Sequence, residues 1–276
     1  MGIDKVNDTS WANLSKISDV TKADIAAFSG IDAPAASSGI VTSNLVHHYD
    51  ASLTGGATST QLVDQGSGGY NLTYRNGVVQ PTGGSVWVEF DGTNDYTGTL
   101  NSVPSTMVPA NFADAYTWSA FYDHDSKNGT QCLFGAFEYG SQYSFVGLYI
   151  SWNAANSYYV LTAAARYDNN QRQYWRTSTT HTTNPAQFTF THDGSRTAAG
   201  GKIYINGVAQ TTGLIINSGS GSYVVDYSGA TFGQGADDQR TYYYDGLIGE
   251  CLMYDAELTA AQVLQNYNAS KAKHGL

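Results

Sequence analysis

From residue 40 onward, apolar and polar residues alternate in short runs that are separated by turn residues. Residues 86–90 alternate in this way before Asp91-Gly92, and two further runs flank Asn206-Gly207. A period of two is the pattern of a β-strand with one buried face, and Asn-Gly between two such runs is typical of a tight hairpin. The succession of strands and turns predicts an all-β protein in which two antiparallel sheets form a jelly-roll sandwich.

One helix is predicted near the C-terminal end. Thr259 and Gln262 have the spacing of a capping box. Val263, Leu264 and Tyr267 then supply a helical apolar face. We therefore expect the last strand, at residues 247–254, to be followed by a helix that packs on the sandwich.

Residues 1–40 lack the strand pattern. A capping box at 21–24 opens a short helix over residues 23–28, and a linker of small residues follows Gly30. An isolated helix of this length is marginal in water, so we expect this arm to dock on its own sandwich or on a neighbouring subunit. The chain thus divides into an N-terminal anchoring arm with its linker, 1–40, and a β-sandwich, 41–276.

The composition suits strands and disfavours several classes of partner. Only 13% of the residues are charged, whereas tyrosines number 21 and glycines 30. A net charge of −10 repels phosphate backbones and anionic lipid surfaces, so we expect no nucleic-acid partner. The chain has no run of 18 apolar residues for membrane insertion and begins without the apolar region of a secretory signal. Cys132 and Cys251 lie in apolar runs and are predicted to be buried thiols.

Four local patterns occur in a distinctive order along the chain. They are Phe-Asp-Gly-Thr-Asn-Asp-Tyr at 90–96, an aromatic strand at 116–121, His-Asp-Gly-Ser at 192–195 leading to 201–207, and a strand with a terminal helix at 245–262. In this order they resemble the laminin-G-like branch of the concanavalin-A-like jelly rolls, over residues 41–276. The resemblance implies two curved antiparallel sheets, frequent binding of carbohydrate or protein, and often one bound calcium ion.

The arm resembles a different class of protein. Residues 11–31, with Lys-Ile-Ser-Asp-Val at 16–20 and Lys-Ala-Asp-Ile at 22–25, are similar to N-terminal stretches of virion structural proteins of tailed bacteriophages. This resemblance implies that the arm anchors the sandwich to a particle.

A calcium site is one candidate for the acidic turn that follows residue 90. Asp91, Asn94 and Asp95 offer several oxygen ligands of the kind that calcium prefers. The family resemblance adds Glu250, because in that family the final strand lies near the corresponding turn. The alternative is ordinary turn chemistry, in which Asp and Asn side chains accept hydrogen bonds from their own backbone. The residues alone leave both open.

The sequence patterns that would indicate catalysis, or a second metal site, are incomplete. Glu89 and Asp91 begin the alternating carboxylate pattern of retaining glycosidases, but the second glutamate position falls in the turn at 93–95. The adjacent His47 and His48 would face opposite sides of a strand. The acidic stretch at 123–129 does not match a calcium-binding helix-loop-helix. We therefore expect no catalytic residues and no enzyme activity.

Aromatic residues beside amides are the candidate ligand contacts. Rings flanked by Asn and Gln can stack on a sugar ring and hydrogen-bond its hydroxyls, and they also serve as anchors in protein interfaces. The alternative is core filling, because half of any strand faces inward. The candidate ligand-binding residues are Tyr167, Asn169, Asn170, Tyr174, Trp175 and Tyr243.

The leading hypothesis is a non-enzymatic structural protein on the surface of a tailed-phage virion, as a capsid decoration or in tail or fibre adhesion. Its expected partners are other virion proteins, through residues 1–40, further copies of itself in a homo-oligomer, and host-surface glycans. The alternative is a free calcium-dependent carbohydrate-binding lectin, or a glycan-active enzyme, of the concanavalin-A-like superfamily.

Overall fold

The computed structural model of the protein describes most of the chain from Gly39 to Leu276. The described ranges are 39–79, 85–99, 106–107, 114–125, 129–137, 145–153, 158–166, 172–195, 197–218, 229–236 and 241–276. Residues 1–38 lie outside these ranges, and with them nearly all of the predicted arm, including its helix.

Eighteen strands account for most of the described chain. In chain order they are β1 (Leu45–Tyr49), β2 (Gln61–Leu62), β3 (Leu72–Arg75), β4 (Val88–Asp91), β5 (Tyr96–Thr99), β6 (Tyr116–His124), β7 (Gly129–Phe137), β8 (Phe145–Asn153), β9 (Tyr158–Arg166), β10 (Arg172–Thr177), β11 (Ala186–His192), β12 (Gly201–Ile205), β13 (Val208–Ala209), β14 (Thr212–Ser218), β15 (Gly229–Phe232), β16 (Gln234–Ala236), β17 (Thr241–Tyr243) and β18 (Asp245–Tyr254). Helix α1 (Ala260–Ser270) follows, and single 3-10 turns lie at Ala198–Gly200 and Lys271–His274.

The strands form two large antiparallel sheets and one small one. A seven-stranded sheet has the order β1-β18-β6-β11-β12-β13, with β4 also paired to β18. A nine-stranded sheet has the order β14-β10-β9-β8-β7-β15-β5-β3-β2, and β16 pairs with β17 separately. This arrangement confirms the predicted two-sheet antiparallel sandwich, with one helix at the C-terminal end.

The core lies between the two large sheets. Trp118 of β6 meets Phe134 of β7 edge to face, with ring centroids 5.0 Å apart. Phe190 of β11 likewise contacts Trp175 of β10 at 5.3 Å. Each pair joins the seven-stranded sheet to the nine-stranded one, and these large rings remove much apolar surface from water.

Helix α1 covers the outer face of the seven-stranded sheet. Thr259 caps it as predicted, because the Thr259 side chain accepts from the backbone N–H of Gln262 and the Gln262 side chain accepts from that of Thr259. Val263 is buried in a cluster with Leu252 and Tyr254 of β18. The helix therefore packs on the outer face of the seven-stranded sheet, which is the sheet that contains β18.

Two local predictions are confirmed. Asn206 and Gly207 both have positive φ, 52° and 75°, and they join β12 to β13 in the mirror-image turn that hairpins favour. Cys132 and Cys251 are both buried free thiols. In the described part of the chain, no helix has the length and apolar character needed to cross a bilayer.

Candidate functional site

A groove lies on the face of the nine-stranded sheet that points away from the core. Along β9, Leu161 and Ala163 pack into the core, so the alternation of a strand turns Thr162 and Ala164 to the opposite face. The same alternation on the neighbouring strands places hydroxyls and tyrosine rings beside them. The hollow that they enclose has a volume of about 220 Å³.

Eight residues line this hollow, which we call the tyrosine groove. They come from β7 to β10 and from β17 and are Thr130, Tyr149, Ser151, Thr162, Ala164, Tyr174, Arg176 and Tyr242. The lining combines three aromatic rings with three aliphatic hydroxyls and one guanidinium.

The small β16–β17 sheet forms one wall of the tyrosine groove. Its strands pair Gly235 with Tyr242, and β16 lies so close to the large sheet that a Cβ atom on Gly235 would come within 2.5 Å of Cys132 Sγ. Only glycine permits this approach. It brings the Tyr242 ring against that of Tyr149, edge to face, with centroids 5.8 Å apart.

Hydrogen bonds hold the polar part of the groove in place. Arg176 and Thr162 are paired across β10 and β9, and Arg176 Nε donates to Thr162 Oγ1 at 3.2 Å. The hydroxyls of Thr130 and Ser151 lie 3.0 Å apart. Because these groups sit on neighbouring strands of one sheet, their spacing is set by the backbone ladder and they are ordered before any ligand arrives.

A buried cysteine, Cys132, packs beneath the residues that line the groove, and its thiol is unreactive. Burial raises the pKa of the Cys132 thiol well above its ordinary value, so the sulfur under the groove stays protonated and is a poor nucleophile. The eight lining residues include no carboxylate. The groove can stack, donate and accept hydrogen bonds, and offer one positive charge.

The structure sorts the predicted ligand-binding residues by the face on which they lie. Tyr174 lines the groove. Trp175, the next residue, points the other way into the core and is only 1% exposed, so its ring is out of reach of a ligand and it does not belong to the site. Tyr242, rather than the predicted Tyr243, lines the groove.

Three further candidates, Tyr167, Asn169 and Asn170, lie outside the described residues. Sequence reasoning missed Tyr149, Thr162 and Arg176. Arg176 carried a usable signal, because it lies two residues after Tyr174 and must share its face of the strand.

In the acidic turn, the structure shows ordinary turn chemistry at Asp91, and the calcium site stays a prediction. Asp91 Oδ1 accepts from the backbone N–H groups of Thr93 and Asn94, at 2.8 and 3.3 Å, as in an ordinary Asx turn. Asp95 is different, because it is 3% exposed and no donor among the described residues reaches its Oδ1 atom. Burial, together with the charges of Asp91 and Glu89, raises the pKa of Asp95. An unsatisfied buried carboxylate oxygen among like charges fits a cation.

Glu250 was wrongly grouped with this turn. The register pairs Asp91 with Asp245, and Glu250 lies five residues farther along β18, about 16 Å away. Its Oε1 atom instead accepts from His48 Nε2 at 2.7 Å and from Lys273 Nζ at 3.1 Å.

Glu250 belongs to a second, charge-compensated cluster. His48, Asp50 and Glu250 bring ligand atoms within 4.8 Å of one another. Lys273 Nζ donates to both Asp50 and Glu250, so a lysine already fills the position between the two carboxylates that a metal ion would take.

Comparison with known proteins agrees with this fold. The chain belongs to the concanavalin A-like lectin/glucanases superfamily, whose laminin-G model matches residues 91–264. This confirms the predicted resemblance for the sandwich, whereas the phage resemblance of the arm stays a prediction. Comparison with curated protein sequences gave no significant match.

Solved structures share the sandwich at low sequence identity. Trypanosoma rangeli sialidase superposes with a TM-score of 0.57 at 14% identity, over 84% of this chain and 34% of that one. A mutant of this sialidase that displays trans-sialidase activity gives 0.57 at 13% identity, over 85% and 34%. Ruminococcus gnavus IT-sialidase CBM40, bound to α2,3-sialyllactose, gives 0.48 at 17% identity, over 65% and 97%. The chain spans about a third of the length of the trypanosomal sialidases, and the likeness to them shows the fold alone.

Proposed function

We propose that this protein binds carbohydrate without cleaving it and that the tyrosine groove is the binding site. The observation that supports this most directly is the lining itself, in which Tyr149, Tyr174 and Tyr242 surround a row of hydroxyls and one arginine. A sugar ring has apolar faces and a polar rim of hydroxyls. The groove offers the complementary arrangement, with flat rings for the faces and donors and acceptors for the rim.

The size and rigidity of the groove favour a small epitope. Its volume of about 220 Å³ is below the roughly 300–1,000 Å³ of enclosed small-molecule pockets. A single terminal sugar residue matches this space better than an extended chain. Because the lining residues lie on paired strands, little conformational entropy is lost on binding.

Binding without hydrolysis is part of the same proposal. Most glycosidases need two carboxyl groups flanking the scissile bond, and the lining of the groove contains neither aspartate nor glutamate. Incubation with chromogenic glycosides, sialosides included, checks this directly. Turnover that disappears in a Tyr174→Ala variant would show that the groove is an active site and would contradict the proposal.

A glycan array followed by calorimetric titration of the hits tests the binding itself. Tyr174→Ala removes a stacking surface of roughly 50 Å², worth about 1.3 kcal/mol, so affinity should fall about tenfold. Tyr174→Phe keeps the ring and serves as the matched control, with a smaller loss. Equal affinities for the wild type and Tyr174→Ala would place binding elsewhere on the molecule.

We also propose a calcium ion at the turn of Asp91 and Asp95, without Glu250. The unsatisfied Oδ1 atom of buried Asp95 supports this site. Asp95 would be the central ligand, and oxygens of the same turn would complete the set. When bound, calcium supplies positive charge that offsets the clustered carboxylates and stabilises the turn.

The virion location remains part of the proposal on the strength of the arm sequence. A sandwich that displays a glycan-binding groove could serve as a surface decoration or an adhesion module, held by residues 1–40 to capsid or tail proteins. Mass spectrometry of purified phage particles from the producing host tests this. Absence of the protein from intact particles would favour the free-lectin alternative.

A further inference from the structure

We infer that the tyrosine groove selects anionic sugars, those with a carboxylate or a sulfate group, and that Arg176 is the residue that selects them. This inference rests on the proposed function, because it names the class of ligand for the same groove. Arg176 is the only formally charged residue among the eight that line the hollow.

The guanidinium of Arg176 is oriented before a ligand arrives. Its Nε donates to Thr162 Oγ1 at 3.2 Å, and the two residues are directly paired in the register of β9 and β10. A guanidinium has five N–H donors in one plane. When Nε is held by a neighbouring strand, the plane is fixed and the terminal nitrogens can form the paired hydrogen bonds that carboxylates and sulfates accept.

The charge of Arg176 is not neutralised within the described part of the chain. The ion pairs found there are made by His47, His48, Lys202 and Lys273. Arg176 is exposed and forms no such pair. Among the described residues, the guanidinium of Arg176 therefore has no carboxylate partner, and it lies beside the tyrosine rings that line the hollow.

The spacing along β10 favours the same class of ligand. Tyr174 lies two residues before Arg176, and both line the groove. Their Cα atoms are about 6.6 Å apart along the strand. This spacing lets one sugar residue stack on the ring while its acidic group reaches the guanidinium.

Matched pairs of ligands test the inference. We would titrate the full chain at pH 7 with the methyl glycosides of galactose and galacturonic acid, with lactose and 3′-sialyllactose, and with galactose 3-sulfate. The wild type should bind the acidic member of at least one pair about 10- to 100-fold more tightly, as expected for paired hydrogen bonds between charged groups. The carboxylate and sulfate arms distinguish the two sources of negative charge.

Three variants assign the selectivity to its residue. Arg176→Gln should reduce binding of the acidic sugar to near the level of its neutral counterpart. Binding of the neutral sugar should fall by a much smaller factor, because the glutamine amide can still hydrogen-bond a hydroxyl. Arg176→Lys, which keeps the charge but loses the planar fork, should recover only part of the preference. Arg75→Gln is the matched control, because Arg75 is an exposed arginine on β3, six strands away in the same sheet, and it should behave as the wild type.

The outcomes separate this inference from the function on which it rests. Wild-type binding of neutral and acidic sugars with equal affinity, or an Arg176→Gln variant that weakens both equally, would overturn the selectivity and leave carbohydrate binding intact. If the wild type binds none of the sugars and no glycan on an array, the proposed function fails as well. Thermal unfolding confirms that each variant is folded, and exposed Arg176 should tolerate replacement.

Discussion

Lys273 provides a sharp test of how the C-terminal turn is held to the sandwich. Its ammonium group donates to Asp50 on one side and to Glu250, at 3.1 Å, on the other. Both carboxylates are buried, with 0% and 2% of the side chain exposed, whereas Lys273 is 28% exposed. Replacing Lys273 with Met would keep the apolar stem and leave two buried negative charges with less compensation.

The expected loss of folding stability follows from the burial of Asp50 and Glu250. Removing one member of a buried ion pair costs about 3–5 kcal/mol. Because Lys273 is partly exposed, and because Ser52 and His48 still donate to the two carboxylates, we expect about 2–3 kcal/mol at pH 7. For a domain of this size that corresponds to a fall in Tm of about 5–10 °C.

The pH dependence gives the reasoning a second check. Burial would raise the pKa of Asp50, but hydrogen bonds from Lys273 and Ser52 hold it below its ordinary value. Burial acts in the same way on Glu250, and His48 and Lys273 lower its pKa. A lowered carboxyl pKa stabilises the folded state at neutral pH, and that contribution is lost as the pH falls through the folded-state pKa. The difference in Tm between the wild type and Lys273→Met should therefore begin to narrow below the ordinary carboxyl pKa values, 4.5 for Glu250 and 3.8 for Asp50, and narrow further as the pH falls through the lower pKa values of the folded state.

Differential scanning calorimetry at several pH values measures both effects. Lys271→Met is the matched control, since Lys271 lies two residues earlier and its ammonium group contacts exposed Asn268 and the Tyr267 ring, neither of which is charged. Its Tm should change by less than about 2 °C. Equal Tm values for the two variants at pH 7, or a gap between wild type and Lys273→Met that is as wide at pH 3 as at pH 7, would refute the account of a buried, compensated network.

Three further predictions concern calcium, acid and the core. Calcium at tenfold excess over its dissociation constant should stabilise the wild type by about 1.4 kcal/mol and should not stabilise Asp95→Asn. Without calcium, Asp95→Asn should be more stable than the wild type, because it lacks the buried charge. Equal effects of calcium on the Tm of both proteins would exclude Asp95 as a ligand. Burial lowers the pKa of four histidines, which are His124, His181, His192 and His274. The free energy of unfolding should therefore fall as the pH drops below 6.5, because the unfolded chain takes up protons first. A Tm that stays constant between pH 7.5 and 5.5 would contradict this. Trp175→Phe should lower Tm through lost packing in the core and leave sugar affinity within about twofold. Loss of binding in a folded variant would show that Trp175 belongs to the binding site after all.

Local sequence patterns predicted most of the fold. Alternation and turn residues predicted the antiparallel sandwich, Asn206-Gly207 predicted a hairpin, and the spacing of Thr259 and Gln262 predicted the start of the last helix. These features depend on interactions between residues that are close along the chain, so they can be recognised without knowing what packs against them.

The candidate sites depended on contacts that only the tertiary structure decides. Tyr174 and Trp175 are both aromatic, so hydrophobicity does not tell which one faces the core, and a shift of one residue exchanges the two faces of a strand. Glu250 was expected beside Asp91, but the register of β18 carries it about 16 Å away to Lys273. The pairing of Arg176 with Thr162 likewise required the register of two strands. Strand patterns are local, whereas a site on a sheet is assembled from strands whose phase and register are set by packing across the whole sandwich.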